Sequence, residues 1–344
     1  MREIAESLQH VVAAGCNAVL VTIVNNSGSA PRHVGSQMLV SSAGLICGTV
    51  GGGAIEGHAI ATARAMVGAH ACRVENLALK KNLGMACGGA AVLLYTPVNS
   101  HDKKWGSLAC ELMRCIDERI HSGMLLTCVD GVSSAGCGVA LVDTRGALLA
   151  GSQEVACAFG TSDAKPEDIR NLGQGAVIGD CFAMPVAVPP RAVVFGGGHV
   201  GVAVIEALSR VGFACTLFEC RPEFALAQRV PAAREIIVGD YENIASSITL
   251  EPDDYVLIMT HTHRFDGAVL EQAVSTPLTY AGCIGSRRKI AGVRKRLQQA
   301  GVPDEVADSV HMPIGMDIKA ETPEEIAVSI AAECILHRAT RPIA

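Results

Sequence analysis

Ala192-Val193-Val194-Phe195-Gly196-Gly197-Gly198-His199-Val200-Gly201 decides how the C-terminal half of this sequence folds. A short apolar run enters three spaced glycines, and helical spacing follows over 200–211. In this pattern Gly196 permits a tight turn, Gly198 lets the backbone approach a pyrophosphate, and Gly201 lets helix and strand pack closely. Phosphates are then expected on backbone N–H groups at the positive helix end, with His199 inside the loop. Glu219 closes the next apolar run at about the 20-residue spacing of a ribose-binding acid. Arg221 is placed either to meet a further phosphate or to form a surface ion pair with Glu223, worth little. The bland alternatives are a glycine turn that binds nothing and an ordinary strand-end carboxylate.

Outward from this loop the pattern is regular. Strands are expected at 192–195, 214–219, 235–238, 255–259 and 280–284, with helices at 200–211, 268–274, 288–299 and 324–337. Strands alternating with helices predict a parallel sheet with right-handed crossovers. Pro189-Pro190 marks the boundary before it. Upstream, 18–24, 37–40, 45–50 and 90–96 read as strands and 54–67 as a helix. A weaker block follows, with a helix at 104–121, short strands at 125–130, 138–143 and 147–150, and a polar stretch at 163–175. The fold class is α/β: a mixed α/β N-terminal domain (1–100), a segment continuing it (101–189), and a Rossmann-like parallel-sheet domain (190–344).

A chain of 344 residues has room for two domains that need no staples. Hydrophobic residues make up 49% but aromatics only 3%, so the core is built from Ala, Val, Ile, Leu and Met. The net charge of −6 argues against nucleic-acid binding. The opening residues read as an amphipathic helix rather than a secretory core, and no run of apolar residues is long enough for a membrane span. With no signal peptide a reducing cytoplasm is expected, with most of the 14 thiols acting as small buried hydrophobes, and the lack of a CxxC pair argues against a zinc knuckle.

Three N-terminal motifs carry chemistry. Gly48-Thr49-Val50-Gly51-Gly52-Gly53 links a strand to a helix, and successive glycines give a backbone that curls around an anion. Glu56, in the first turn of that helix, either complements the helix dipole or accepts a hydrogen bond from a ligand. Arg32, in Ser27-Gly28-Ser29-Ala30-Pro31-Arg32, has the planar fork suited to phosphate, or is an exposed loop arginine. Cys87, in Leu83-Gly84-Met85-Ala86-Cys87-Gly88-Gly89, is set among backbone donors that favour thiolate.

In the C-terminal half, Thr260-His261-Thr262-His263 follows a strand, where open parallel sheets bind their ligands. His261 and His263, two apart, point the same way in extended chain. With Asp266 they offer three metal ligands; alternatively the histidines donate hydrogen bonds and Asp266 caps the next helix. Gly285-Ser286-Arg287-Arg288-Lys289 puts cations at a helix start, against the dipole, which an anionic ligand would offset. The alternative is a solvated face.

Taken in order, these motifs resemble the XdhC/CoxI family, the accessory factors of xanthine dehydrogenase and related molybdenum hydroxylases. Further matches are Arg221-Pro222-Glu223, Pro313-Ile314-Gly315 and the stretch from Thr322 to Ile330. The resemblance covers both halves and thins between about Asn99 and Pro185. It implies a cytoplasmic chaperone, rather than a turnover enzyme, that binds molybdenum cofactor as molybdopterin or its cytosine dinucleotide. Such a factor protects the cofactor during sulfuration and delivers it to an apo molybdenum hydroxylase. A cysteine desulfurase-type sulfur donor and a homodimer are implied with it. By position Cys87 contacts the molybdenum or the transferred sulfur. Members commonly carry alanine where this chain has Gly197, and glycine where it has Lys319. The competing reading is an NAD(P)-dependent oxidoreductase with His261 or His263 as proton donor, but it leaves the N-terminal motifs without a part. A purely regulatory partner protein would leave Cys87 unused.

Overall fold

The computed structural model describes residues 1–29, 32–83, 88–129, 138–160 and 175–340, apart from the side chains of residues 80, 83, 287 and 288. The chain divides into two compact units, Met1–Val188 and Pro189–Pro342.

The first unit opens with α1 (Arg2–Ala13), whose buried Ile4, Ala5, Leu8 and Val11 recur at helical spacing. Strands β1 (Ala18–Ser27), β2 (Gln37–Ser41) and β3 (Gly44–Gly48) follow, then α2 (Gly53–Ala65), β4 (Arg73–Ala78), α3 (Leu79–Leu83) and β5 (Ala90–Val98). They form one antiparallel sheet ordered β3-β2-β1-β5-β4. After α4 (Lys103–Asp117) come β6 (Met124–Cys128), β7 (Val139–Val142), β8 (Leu148–Gly151), α5 (Gln153–Gly160), β9 (Ala176–Ile178) and β10 (Cys181–Pro185). These strands make a second antiparallel sheet, ordered β8-β7-β6-β10-β9.

The two sheets sandwich α1 and α4. Leu20, Leu39 and Leu94 from one and Leu125, Leu141 and Phe182 from the other share a core with Trp105, Leu108 and Leu112. The opposite faces are covered by α2, through Ile55, Ala59 and Ala63, and by α5, through Val155 and Phe159. With both faces buried, β1, β6 and β7 read as unbroken apolar runs rather than alternating ones. The stretch read as a weak continuation thus holds a complete sheet of its own.

The second unit runs β11 (Arg191–Phe195), α6 (His199–Arg210), β12 (Ala214–Glu219), β13 (Glu235–Val238), β14 (Tyr255–Ile258), α7 (His263–Ala273), β15 (Tyr280–Cys283), α8 (Arg287–Gln299), α9 (Asp304–Ser309) and α10 (Pro323–Thr340). The strands are all parallel, in the order β13-β12-β11-β14-β15. The order reverses between β11 and β14, which leaves a crevice at their carboxyl ends. One face is packed by α6 and α10 and the other by α7 and α8. At the other end of the sheet Arg191 forms a two-pronged ion pair with the fully buried Asp254 and donates to the Thr249 carbonyl at 2.8 Å.

Most thiols are free, and Cys215 and Cys283 are buried ones that desolvation pushes up to about 12; Cys72 departs from that pattern, being disulfide-bonded. No helix among the described residues is long and apolar enough to cross a membrane.

The loop between β11 and α6 has no spare room at its third glycine. A Cβ on Gly201 would lie 1.8 Å from the Gly196 carbonyl oxygen, whereas one on Gly198 would meet nothing within 4 Å. Gly201→Ala should therefore cost at least about 2 kcal/mol in urea denaturation of the second unit. Gly198→Ala should stay within about 1 kcal/mol of the parent.

Candidate functional site

The glycine loop is held from both sides. Gly196 donates to the Phe218 carbonyl at 3.0 Å, and Met259 donates to the Phe195 carbonyl at 2.9 Å. Gly196 sits at φ 121°, open to glycine but not to other residues, with the Met259 carbonyl 2.3 Å from where a Cβ would be.

Glu219, fully buried at the end of β12, reaches into the loop. Its Oε2 accepts from the Gly197 N–H at 2.7 Å and from Arg221 Nη2 at 3.1 Å; its Oε1 accepts from the Arg221 N–H and Nε, both at 3.0 Å. Burial alone would push this carboxyl up. The Arg221 guanidinium and the two backbone N–H groups outweigh it and hold the group at about 2. Arg221 is itself seated over the Phe224 ring, 3.9 Å from its centroid. The acid read from the sequence as a ribose ligand therefore braces the loop, and both its oxygens are engaged. The loop's remaining donors are the N–H groups at the start of α6, from the capping Gly198 to Gly201, which have no intrahelical acceptor. Gly197 is explained by the same brace: a Cβ there would lie 2.8 Å from the Phe224 carbonyl and 3.4 Å from Glu219 Oε2.

Beyond the reversal of strand order, a cavity of about 710 Å³ opens between α7 and α8, lined by His263, Arg264, Gly267, Ser286, Lys289 and Arg296 among others. Two helix N-termini belong to this region. Thr262 caps α7 by accepting from Phe265 N–H, and Ser286 caps α8 by accepting from Lys289 N–H. The positive helix ends favour an anion here, while the lining cations Arg264, Lys289 and Arg296 are paired with Glu242, Asp266 and Glu271. The side chain of Arg287 lies outside the described residues.

Asp266 is neither a cap nor a partner of the histidines. It is fully buried, accepts from Thr260 N–H at 2.8 Å and Thr260 Oγ1 at 2.7 Å, and lies 2.6 Å from Lys289 Nζ. It ties α7 to α8. The two histidines also part company. The strand ends at Ile258, so the alternation expected of extended chain no longer holds at 261–263. His263 opens α7 and faces the cavity, while the His261 ring packs near Phe265 and Tyr241, at centroid distances of 5.2 and 6.2 Å. The potential ligands beside His261 are Glu219 and Cys220. Sequence reasoning passed over Cys220; its place at the carboxyl end of a central strand was the available signal.

In the first unit Glu56 and Thr49 stitch the glycine loop to itself. Thr49 Oγ1 donates to Glu56 Oε2, which also accepts from Gly52 N–H at 3.3 Å, while Thr49 Oγ1 accepts from Gly51 N–H at 3.1 Å. Gly51, Gly52 and Gly53 all have positive φ, at 134°, 71° and 60°, so the turn into α2 depends on glycine. Arg32 is exposed and, with Thr49, Gly48 and Gln37, borders a cavity of about 250 Å³. Gly89 packs on the Gly28 turn so closely that a Cβ would lie 2.5 Å from the Ser27 carbonyl. Cys87 itself lies outside the described residues, but the Gly88-Gly89 pair that follows it abuts Ser27–Ser29 at the end of β1.

The motifs near the C-terminus serve packing around β15 and α10. Glu333 accepts from Tyr280 Oη at 2.7 Å and Gly315 N–H at 2.6 Å, and lies 2.8 Å from His311 Nδ1. Lys319 is exposed at φ 61° and paired with Asp317.

Comparison with known proteins bears on both units. The model of the XdhC and CoxI family matches residues 11–77, and that of the XdhC Rossmann domain matches residues 192–334. The chain is 26% identical to a probable xanthine dehydrogenase subunit of Bacillus subtilis, over 93% of each chain. It is 22% identical to the molybdenum cofactor insertion chaperone PaoD of Escherichia coli, over 96% of this chain and 87% of that one. With YqeB of Escherichia coli it shares 31% identity over 170 residues, which span 47% of this chain and 31% of that one. The crystal structure of a xanthine dehydrogenase from Bacillus halodurans has the same fold, with a TM-score of 0.78 at 24% identity over 98% of this chain and 96% of that one.

The Glu219 brace has a pH signature. A carboxyl held at about 2 in the folded chain, against 4.5 unfolded, contributes fully above pH 4.5 and loses that contribution as pH falls towards 2. The full contribution is on the order of 3 kcal/mol. In chelator-treated protein, the stability gap between parent and Glu219→Gln should be widest above pH 5 and close by about pH 2, as read by chemical denaturation.

Proposed function

Because the chain belongs to the XdhC and CoxI family, we propose that it is a molybdenum cofactor-binding maturation factor that holds the cofactor during sulfuration and passes it to an apo molybdenum hydroxylase. The observation that carries this reading is the convergence of the N-terminal motifs. The Gly28 turn packs on Gly88-Gly89, next in sequence to Cys87, and Arg32 shares a cavity with Gly48 and Thr49 at the root of the glycine loop. A thiol, a guanidinium and backbone donors are the groups that suit a soft metal carried on an anionic organic group. In this reading Cys87 contacts the molybdenum or its incoming sulfur. Arg32 and the Gly51–Gly53 turn take anionic oxygens, and Glu56 keeps that turn in shape.

The second unit offers an anion site of its own. The α6 first turn at Gly198, His199 and Gly201 takes a pyrophosphate, and His263 and Ser286 border the anion cavity, with Arg287 next in sequence. Glu219 and Arg221 act by bracing the loop, and His261 stands at its rim. A pyrophosphate site of this kind suits the cytosine dinucleotide form of the cofactor better than bare molybdopterin. A cysteine desulfurase-type donor, a homodimer and a cytoplasmic setting belong to the same reading. The nicotinamide oxidoreductase alternative is weakened by Glu219, since neither of its oxygens is free for a ribose.

The test is retention of cofactor by protein purified from a host that makes it. Cys87→Ser should lower co-purified molybdenum and pterin by at least about tenfold, as expected for loss of a metal contact. Unchanged retention removes Cys87 from the site. In thermal shift assays, cytidine nucleotides or molybdopterin should raise the melting temperature by linkage. A rise with NAD(H) or NADP(H) alone, together with hydride transfer, would overturn the reading.

A further inference from the structure

Three side chains of different chemistry meet at the corner where β12 ends. A carboxylate oxygen of Glu219, the Sγ of Cys220 and a ring nitrogen of His261 lie within 4.8 Å of one another. Two are adjacent in the chain, and the third arrives from the loop after β14, 41 residues beyond Cys220. Glu219 is buried, Cys220 half-buried and His261 exposed, so the group is rooted in the protein and open on one side. The His261 ring is backed by Phe265 and Tyr241. Cys220 Sγ donates to Glu219 Oε1 at 3.6 Å.

We propose that Glu219, Cys220 and His261 bind one borderline-soft divalent cation of the Zn²⁺ class, with a fourth coordination position open to solvent. Carboxylate, thiolate and imidazole are the ligand types such an ion takes, at about 2.0–2.3 Å, and three protein ligands with an open position is a recurrent arrangement. Hard ions such as Mg²⁺ are disfavoured, because the site offers a single carboxylate beside sulfur and nitrogen. Tetrahedral bonds of that length put ligand atoms about 3.3–3.8 Å apart. The group must therefore close by about 1 Å, which rotation of the exposed His261 supplies.

On binding, the Cys220 S–H bond breaks, its proton leaves to solvent, and the sulfur lone pair forms the metal–sulfur bond; no electron is transferred. Losing the S–H removes one of three donors from Glu219 Oε1; the Arg221 N–H and Nε still fill its two lone pairs, so the ion must displace Arg221 Nε. Arg221 keeps its Nη2 contact with the other carboxylate oxygen. Two anionic ligands and this one guanidinium leave a net negative charge facing the dication, so the neighbouring cation lowers affinity without abolishing it. All three ligands belong to the second unit, and Cys87 is not among them.

Full-length protein, stripped with chelator and kept reduced with a non-thiol reductant, is titrated with Co²⁺ as the probe. One equivalent should bind, with a near-ultraviolet sulfur-to-cobalt absorption that Zn²⁺ abolishes by displacement. Cys220→Ser should remove that absorption, and His261→Ala should weaken binding by at least about tenfold. Cys87→Ser and Cys157→Ser should leave both unchanged. Absence of the absorption in the parent overturns the proposal. So does its survival in Cys220→Ser, or its loss only in Cys87→Ser. Because His261 is exposed, His261→Ala keeps the proposal testable even if Cys220→Ser does not fold, and unchanged Co²⁺ affinity in that variant also overturns it.

Discussion

A buried carboxylate inside a glycine loop is the contact on which the second unit is organised. Glu219 satisfies the Gly197 N–H from the end of the neighbouring strand, and Arg221 satisfies Glu219 in turn. Each partner needs the others. A side chain at Gly197 would press on Glu219 and on the Phe224 carbonyl. Without Arg221 the carboxylate would be a buried charge with no counter-ion, which is far costlier than an exposed one. The loop is thus stiff before any ligand arrives, which lowers the entropic cost of binding one.

The first unit repeats the device in different dress. There Glu56 accepts from the Gly52 N–H and from Thr49, and Thr49 accepts from Gly51. In both units an acid takes the innermost donor of a glycine turn, and the helix first turn beyond it stays open. The consequence is chemical. The acids hold donors of the turns, which leaves the helix-end N–H groups as the unengaged ones.

Much of the fold was legible because the local signals agreed. The glycine loop, the alternating strands and helices after Arg191 and the Pro189-Pro190 boundary all point to the same parallel-sheet unit. The misses have physical reasons. Strand β4 carries Arg73, Glu75 and Asn76 on an edge with little burial, so no apolar run marks it. Strand β10 ends on Pro185, and α5 is short, with its apolar residues hidden among cysteine and alanine. Helix α7 begins five residues before its first expected residue because its opening turn, His263 to Asp266, is polar; what it buries is a charge pair. Of the site, the residue types were legible but their partners were not. Glu219 looked free because nothing in the sequence says that Arg221 folds back onto it. His261 was matched with its neighbour in sequence when its neighbours in space are Glu219 and Cys220.

The most direct measurement is the response of individual glycine amides to a diphosphate. Glycine-selective ¹⁵N labelling, with signals assigned by single substitutions, follows the loop as cytidine diphosphate is added. The account predicts that the Gly198 and Gly201 amides move with ligand while Gly197, already held by Glu219, stays in place. Equal movement of Gly197, or no response at any of the three, would contradict it.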